Sequence, residues 1–499
     1  MKTARILHFA ATAFLGVLVF SAVYTSTHAE EQTPDTLNTR IGKLKYEVGY
    51  PSKETSQKLY DEMDFQRATQ AYLWSFPAVS FASVKAGLFH DLGATYNDIV
   101  LWENFLDSKA LVLTGNNSTI YAVSQMDLKD GPVVVEVPAG PTAGAFADLW
   151  FETSGVGHLG PDKGNGGKYL LVPPGYQGEL PKDGYFVVPF KTMDANFFIR
   201  GIVIKGDVAG AADMIAKSRV YPYSERANPK PGKVLRVTGK YANTIEPQGL
   251  AYWKLLSEVI EHNPVAERDR FFMAMLKPLG IEKGKPFAPD DRQKRILEEG
   301  ARLGHAMAQN IAFDSRFAAS PVYPGKHWMN VFVMNTQGPT QQESEYYSQL
   351  DERLNYLYLG TWPIHAMNLP VPSQGQRYIE AFKDKDGNPL DGSKHYKLHV
   401  PANPPVENFW SVTVYDTLTR SMTMNKANKP AIRSSADKIT QNADGSWDLY
   451  FGPKAPAGQE SNWVDTSASK GWWVWFRFYS PTKPFFDQSW QLPDFERVK

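Results

Sequence analysis

His395-Tyr396-Lys397-Leu398-His399-Val400-Pro401 is followed two residues later by Pro404-Pro405-Val406-Glu407-Asn408-Phe409-Trp410-Ser411-Val412-Thr413-Val414-Tyr415-Asp416. Both runs alternate apolar and polar positions as half-buried strands do, and a Pro-rich turn separates them, so the stretch reads as one layer of a β-sandwich. Turn signals at Asp386-Gly387-Asn388-Pro389 and Asp444-Gly445, and a closing aromatic run from Trp472 to Tyr479, extend that sandwich over 376–499.

Upstream the pattern changes twice. Short apolar runs broken by Gly and Pro fill Lys109 to Lys205, among them Val133 to Val137, Lys168 to Val172 and Phe197 to Ile204, which predicts a first sandwich. Asp207 is placed to cap a short helix after it. Leu59, Met63, Arg67, Ala71 and Trp74 recur at helical spacing ahead of it, with Ser56 as expected N-cap and Pro77 as the break between two helices. From Pro247 to about Leu359 helical periodicity returns, with Trp253, Leu256, Val259 and Ile260 on one face and a further helix after Pro289. The expected division is therefore a linker over 30–55, N-terminal helices and sandwich over 56–220, a mostly helical section over 221–375, and the second sandwich.

At the N-terminus, Lys2 and Arg5 precede an apolar segment from Phe9 to about Val23 and a small-residue stop at Thr27-His28-Ala29. This reads as a secretory signal peptide over 1–29, cleaved before Glu30, which leaves a periplasmic or secreted chain with no stable membrane anchor. The 499 residues contain no cysteine, so disulfides, thiolate metal sites and a cysteine nucleophile are excluded. Lysine plus arginine equals aspartate plus glutamate at 53 each, without long runs of one sign, which argues against a nucleic-acid partner.

Few motifs promise chemistry. Gly155-Val156-Gly157-His158-Leu159-Gly160 matches a dinucleotide string, but Pro161 and a Gly-rich loop follow where a helix must open. His395 and His399 are four residues apart on a strand, hence about 13 Å apart at about 3.3 Å per residue, too far to share an ion. Asp384-Lys385-Asp386-Gly387-Asn388 opens like a calcium loop, yet Pro389 and His395 stand where glycine and glutamate are required. His365 has no partner visible in sequence. Arg200 and Arg477 are more informative, because each lies within a strongly apolar strand. If either is buried it must be hydrogen-bonded and paired, and for Arg477 a partner acid is expected.

Taken together, several motifs resemble proteins that join domain of unknown function 1254 to domain of unknown function 1214. In the C-terminal part these are Asp386-Gly387, Leu390-Asp391-Gly392, Pro404-Pro405-Val406, Phe409-Trp410-Ser411, Tyr415-Asp416, Asn462-Trp463 and Arg477 with Tyr479. In the N-terminal part they are Ala71-Tyr72 before Pro77, Asn116 to Tyr121, Val133 to Pro138 and Ile199-Arg200. The resemblance implies a mainly β fold: an immunoglobulin-like sandwich and a jelly-roll-like sandwich with a helical region between them. It implies no activity, and this chain departs from the pattern at Ser118, commonly aspartate, and at Arg433-Ser434-Ser435, commonly Arg-Tyr-Ser.

Two functional readings stand. The first is an exported protein that holds a small or oligomeric polar ligand in an inter-domain cleft and could hydrolyse it without metal or cofactor. Its expected ligand-binding residues are Asn116, Thr119, Tyr121, Arg200, Trp410, Arg433, Asn462, Trp463, Arg477 and Tyr479, with arginines for an anionic group and tryptophans for stacking. Asp416 is the candidate base, with Tyr415 beside it as the second catalytic candidate. The second reading is a non-catalytic envelope module that binds a glycan or a partner protein on a sandwich face.

Overall fold

The computed structural model describes residues 35–158, 160–334 and 342–498, in two compact units that divide after Glu62. The expected signal peptide lies outside the described residues. In the first unit β1 (Thr36–Thr39), β2 (Gly42–Glu47) and β3 (Tyr50–Pro51) form an antiparallel sheet, so most of the expected linker is ordered structure. Lys43 to Glu47 alternates charged and apolar residues, which buries Leu44, and Val48-Gly49 supplies the positive-φ turn. Helix α1 (Lys53–Leu92) starts earlier than expected: Ser52, not Ser56, is the cap, its Oγ accepting from Thr55 N at 3.2 Å.

Pro77 does not divide α1. A mid-helix proline leaves backbone carbonyls of the preceding turn short of donors. Here buried side chains serve that turn, with Tyr252 Oη donating to Tyr72 O at 3.0 Å and Arg353 Nη2 to Trp74 O at 2.7 Å.

The first sandwich contains β4 (Ile99–Trp102), β5 (Ala110–Leu111), β6 (Ile120–Asp127), β7 (Val133–Val137), β8 (Thr142–Asp148), β9 (Thr153–Gly157), β10 (Gly167–Val172), β11 (Phe186–Pro189) and β12 (Asp194–Gly201). Helix α2 (Val208–Ile215) follows, capped by Asp207 as expected, then β13 (Arg219–Pro222), β14 (Val234–Arg236) and β15 (Ala242–Asn243). One sheet runs β14-β4-β6-β12-β8-β9 and the other β11-β10-β7-β13. β14 and β15 pair with β4 and β5, so this domain extends past residue 220 into the section expected to be helical.

Helices α3 (Leu250–His262), α4 (Arg270–Leu276), α5 (Asp291–Phe313) and α6 (Leu350–Leu357) make up the middle section, interrupted by β16 (Trp328–Asn330), which joins the second sandwich. Asp290 and Gln293 form a capping box on α5. The same helix passes so close to α1 that a Cβ on Gly300 would lie 2.5 Å from that of Ala68, so only glycine fits there.

The second sandwich is built from β17 (Gln376–Ala381), β18 (His395–Val400), β19 (Val406–Asp416), β20 (Ala431–Arg433), β21 (Trp447–Phe451), β22 (Trp463–Val464) and β23 (Trp472–Pro481), followed by the one-turn α7 (Lys483–Phe486) and β24 (Glu496–Val498). Its sheets run β16-β17-β23-β19-β20 and β22-β21-β18-β24. On β18, Tyr396, Leu398 and Val400 are buried and the histidines between them are not, as the alternation predicts.

One sheet of each sandwich is covered on both faces. Phe197 and Ile199 of β12 enter the first sandwich core, whereas Phe198 joins a central core shared with α1. Likewise Val474 and Phe476 of β23 enter the second sandwich core, and Trp473 and Trp475 join the central one. The site lies in this shared layer.

Candidate functional site

Strand parity decides which side chains look into the central layer. On β12, Asn196, Phe198 and Arg200 share one face; on β23, Trp473, Trp475, Arg477 and Tyr479 do. Between them lies a cavity of ≈ 70 Å³, mostly apolar, lined by Trp102, Phe198, Trp362 and Trp475 among others, with Arg200 and Arg477 in its wall. The segment between β4 and β6 closes one side through Thr114, Gly115 and Asn116.

That segment is fastened to the second sandwich. Thr114 N donates to Arg420 O at 2.9 Å, and Tyr415 Oη donates to Gly115 O at 2.9 Å. Asn116 Nδ2 donates to Tyr479 Oη at 2.8 Å, and Ser118 Oγ donates to Asn116 Oδ1 at 2.6 Å. Two lining residues sit in the left-handed region, Thr114 at φ 44° and Trp362 at φ 49°. A β-branched or bulky residue there is strained, and such strain concentrates at functional sites.

The arginines give the cavity its character. Arg477 is 1% exposed; its Nη1 donates to Thr413 Oγ1 at 2.8 Å, and its Nη2 to Tyr415 Oη at 2.5 Å and to Thr114 O at 3.3 Å. Arg200 is 4% exposed, and its Nη1 donates to Gln376 Oε1 at 3.1 Å, an oxygen that also accepts from Tyr378 Oη at 2.6 Å. Both Nε atoms are buried without a partner. The expected acid beside Arg477 is not there: among the described residues the groups acting on both guanidiniums are tyrosines. Burial pushes Tyr378 and Tyr415 up to about 12, although the arginines pull the other way, so at neutral pH both are uncharged.

Two other buried arginines share the unpartnered Nε but have acids beside them. Arg420 pairs with Glu246 Oε2 at 2.7 Å, and Arg353 has Asp269, Glu343 and Glu152 around it. Buried guanidiniums in this fold thus come in two kinds, and those without an acid both border the cavity. An anion between them would gain charge-assisted hydrogen bonds in a medium where they are strong.

Of the residues expected at the site, Asn116, Tyr121, Arg200 and Arg477 line the cavity, and Tyr415 and Tyr479 brace its wall. Thr119 is buried but does not line it. Asp416 is a correction: its Oδ1 accepts from Leu418 N at 2.8 Å and Thr419 N at 2.9 Å, the job of a turn aspartate, and it lies outside the cavity. Trp410 is also misplaced by the sequence reading, since it stacks on Phe476 inside the second sandwich. Asn462 braces a loop through Thr440 and Asp448, and Trp463 Nε1 donates to Gly452 O. Arg433 holds Asp437 at 2.7 Å and Asn117 O at 3.0 Å, a link between the domains rather than a ligand contact. His399 pairs with Asp448 at 2.8 Å on the outer sheet, and His365 opens a single 3-10 turn between the lining residues Ile364 and Met367.

Sequence reasoning missed Tyr378, Tyr356, Trp362 and Trp475. Trp475 had a signal, being two residues from Arg477 on one strand; Tyr378 is opposite Arg477 only through pairing of β17 with β23.

Fold and cavity define a protein of two β-sandwiches that enclose a cationic pocket. Residues 96–222 match the family model DUF1254 and residues 375–483 match DUF1214, each described as a protein of unknown function, so the chain joins a DUF1254 domain to a DUF1214 domain. The crystal structure of the VPA0106 protein from Vibrio parahaemolyticus is similar over 87% of this chain and 100% of that one, at 19% identity and a TM-score of 0.53, a likeness of fold. An uncharacterised protein from Burkholderia cenocepacia covers 89% of this chain and 97% of its own at 11% identity and a TM-score of 0.36. No curated protein matches.

Proposed function

We propose that this protein binds a small anionic ligand in the cavity between its sandwiches, and that binding, not hydrolysis, is its activity. One observation carries the reading: among the described residues no acid stands against either Arg200 or Arg477, both are buried, and both border one cavity. A buried charge left uncompensated is costly, and a fold that keeps two beside a cavity gains most when an anion enters. The small volume favours a small ligand over an oligomeric one. Hydrolysis loses its base, because Asp416 is engaged in a turn.

The test is calorimetric titration of the mature protein with sodium acetate, benzoate and phosphate, alongside neutral glucose and glycerol, in wild type and Arg477→Gln. At least one anion should saturate in wild type and bind about 100-fold more weakly to the variant. Glucose binding without anion binding, equal anion affinity in both proteins, or turnover of simple esters would each refute the reading.

We also place the protein in the periplasm, on the strength of Lys2, Arg5, the apolar segment and the Ala29 stop. Chain recovered from that compartment should begin at or near Glu30 on N-terminal sequencing, and a chain that begins at Met1 would remove the basis for export.

A further inference from the structure

We infer that the anion is a short-chain aliphatic monocarboxylate, of the size of formate or acetate; this rests on the anion-binding reading above. Charge, size and wall chemistry converge on that class.

The cationic groups occupy one end. Arg477 Cζ lies 5.2 Å from the ring centre of Tyr378, whose hydroxyl shares Gln376 Oε1 with Arg200. Arg200 is also directly opposite Tyr121 across the sheet. Two guanidiniums thus converge on Tyr378, and a single carboxylate there can take charge-assisted hydrogen bonds from this end. Away from that end the walls include Val84, Leu88, Trp102, Ile364 and Met367, with no further cation among the lining residues. A second carboxylate on the ligand would be desolvated against hydrocarbon without a partner, which disfavours diacids.

Volume limits the body. An apolar cavity of about 150 Å³ accommodates benzene, and the ≈ 70 Å³ here is roughly half of that. A one- or two-carbon acid fits that limit, whereas butyrate, with as many heavy atoms as benzene, an aromatic ring or a long acyl chain would require the walls to part. The walls are stiff: Trp362 stacks on Phe198 at 4.9 Å and its Nε1 donates to Asn196 Oδ1 at 2.7 Å. They should therefore discriminate by length.

The experiment is a calorimetric series on the wild-type mature protein with formate, acetate, propionate, butyrate, hexanoate, benzoate, succinate, phosphate and the neutral acetamide. Affinity should rise by about fourfold from formate to acetate, then fall from propionate onward, with acetamide at least about 100-fold weaker than acetate. Val112→Phe, at a half-buried lining position, should move the optimum to a shorter acid. If that variant does not fold, the wild-type series decides alone. Phosphate or succinate as the tightest ligand, or affinity independent of chain length, would overturn the monocarboxylate class and leave anion binding standing. Acetamide equal to acetate, or no binding by any compound, would overturn both.

Discussion

Arg200→Met should unfold at a higher temperature than wild type and should no longer bind the anion. Arg200 hydrogen-bonds Gln376 and meets the Tyr378 hydroxyl, and when the guanidinium is gone those two side chains keep each other as partners. Removal therefore strands no buried acceptor, it deletes a buried charge with no acid beside it, and methionine fills similar space with an adaptable chain. A gain of roughly 1 to 3 kcal/mol is expected. Arg420→Met is the control with the opposite sign: it leaves Glu246 buried and unpaired, a loss of about 3 to 5 kcal/mol. Denaturant unfolding of both variants measures the contrast. If Arg200→Met lost as much stability as Arg420→Met, Arg200 would be a structural residue and the site assignment would fail.

The second large effect is a stability that declines as pH rises. Burial pushes the Glu380 carboxyl up to about 8, against the opposing hydrogen bond from Trp475 Nε1 at 2.8 Å. The folded state therefore holds this proton more tightly than the unfolded chain, whose glutamates titrate near 4.3. Its contribution is fully present below that unfolded value and is lost as pH climbs through 8, at about 1.4 kcal/mol per unit, on the order of 5 kcal/mol in all. Asp148, raised to about 7 by burial and by neighbouring Glu152, works in the same direction. Glu380→Gln preserves an acceptor for Trp475 and cannot ionise, so at pH 9 it should exceed wild type by a few kcal/mol and at pH 4 match it. Urea melts at pH 4, 7 and 9 provide the comparison, and parallel profiles for the two proteins would refute the assignment.

What was legible in the sequence follows from solvent. His395 to Val400 is on an outer sheet, so water on one face imposes the alternation that identified it. Asp194–Gly201 is buried at every position, so its alternation is hidden among residues that are apolar on both faces. Its lone arginine was readable as unusual, but the facing partner, 277 residues further along the chain at Arg477, was fixed only by how two sheets meet. The same cause hid Tyr378 and Trp362, which reach the cavity from strands and loops with no local motif. Asp416 was misread because an aspartate at a strand end suits a turn as well as a catalytic site, and only its hydrogen bonds distinguish the two. Pro77 was misread because helix breaking is a local rule, and Arg353 and Tyr252 act on α1 from far along the chain.

The layer buried on both faces has a consequence for what a domain means in this molecule. Separated at the family boundaries, each half would expose its side of the central core: Trp102, Tyr121 and Phe198 from one, Tyr378, Tyr415, Trp473 and Trp475 from the other. At about 1.5 to 3 kcal/mol for each large side chain kept from water, the exposure would cancel much of the stability a domain of this size possesses. The two matched segments are thus units of inheritance without being units of folding, and the pocket they enclose comes into existence only with the union of the halves.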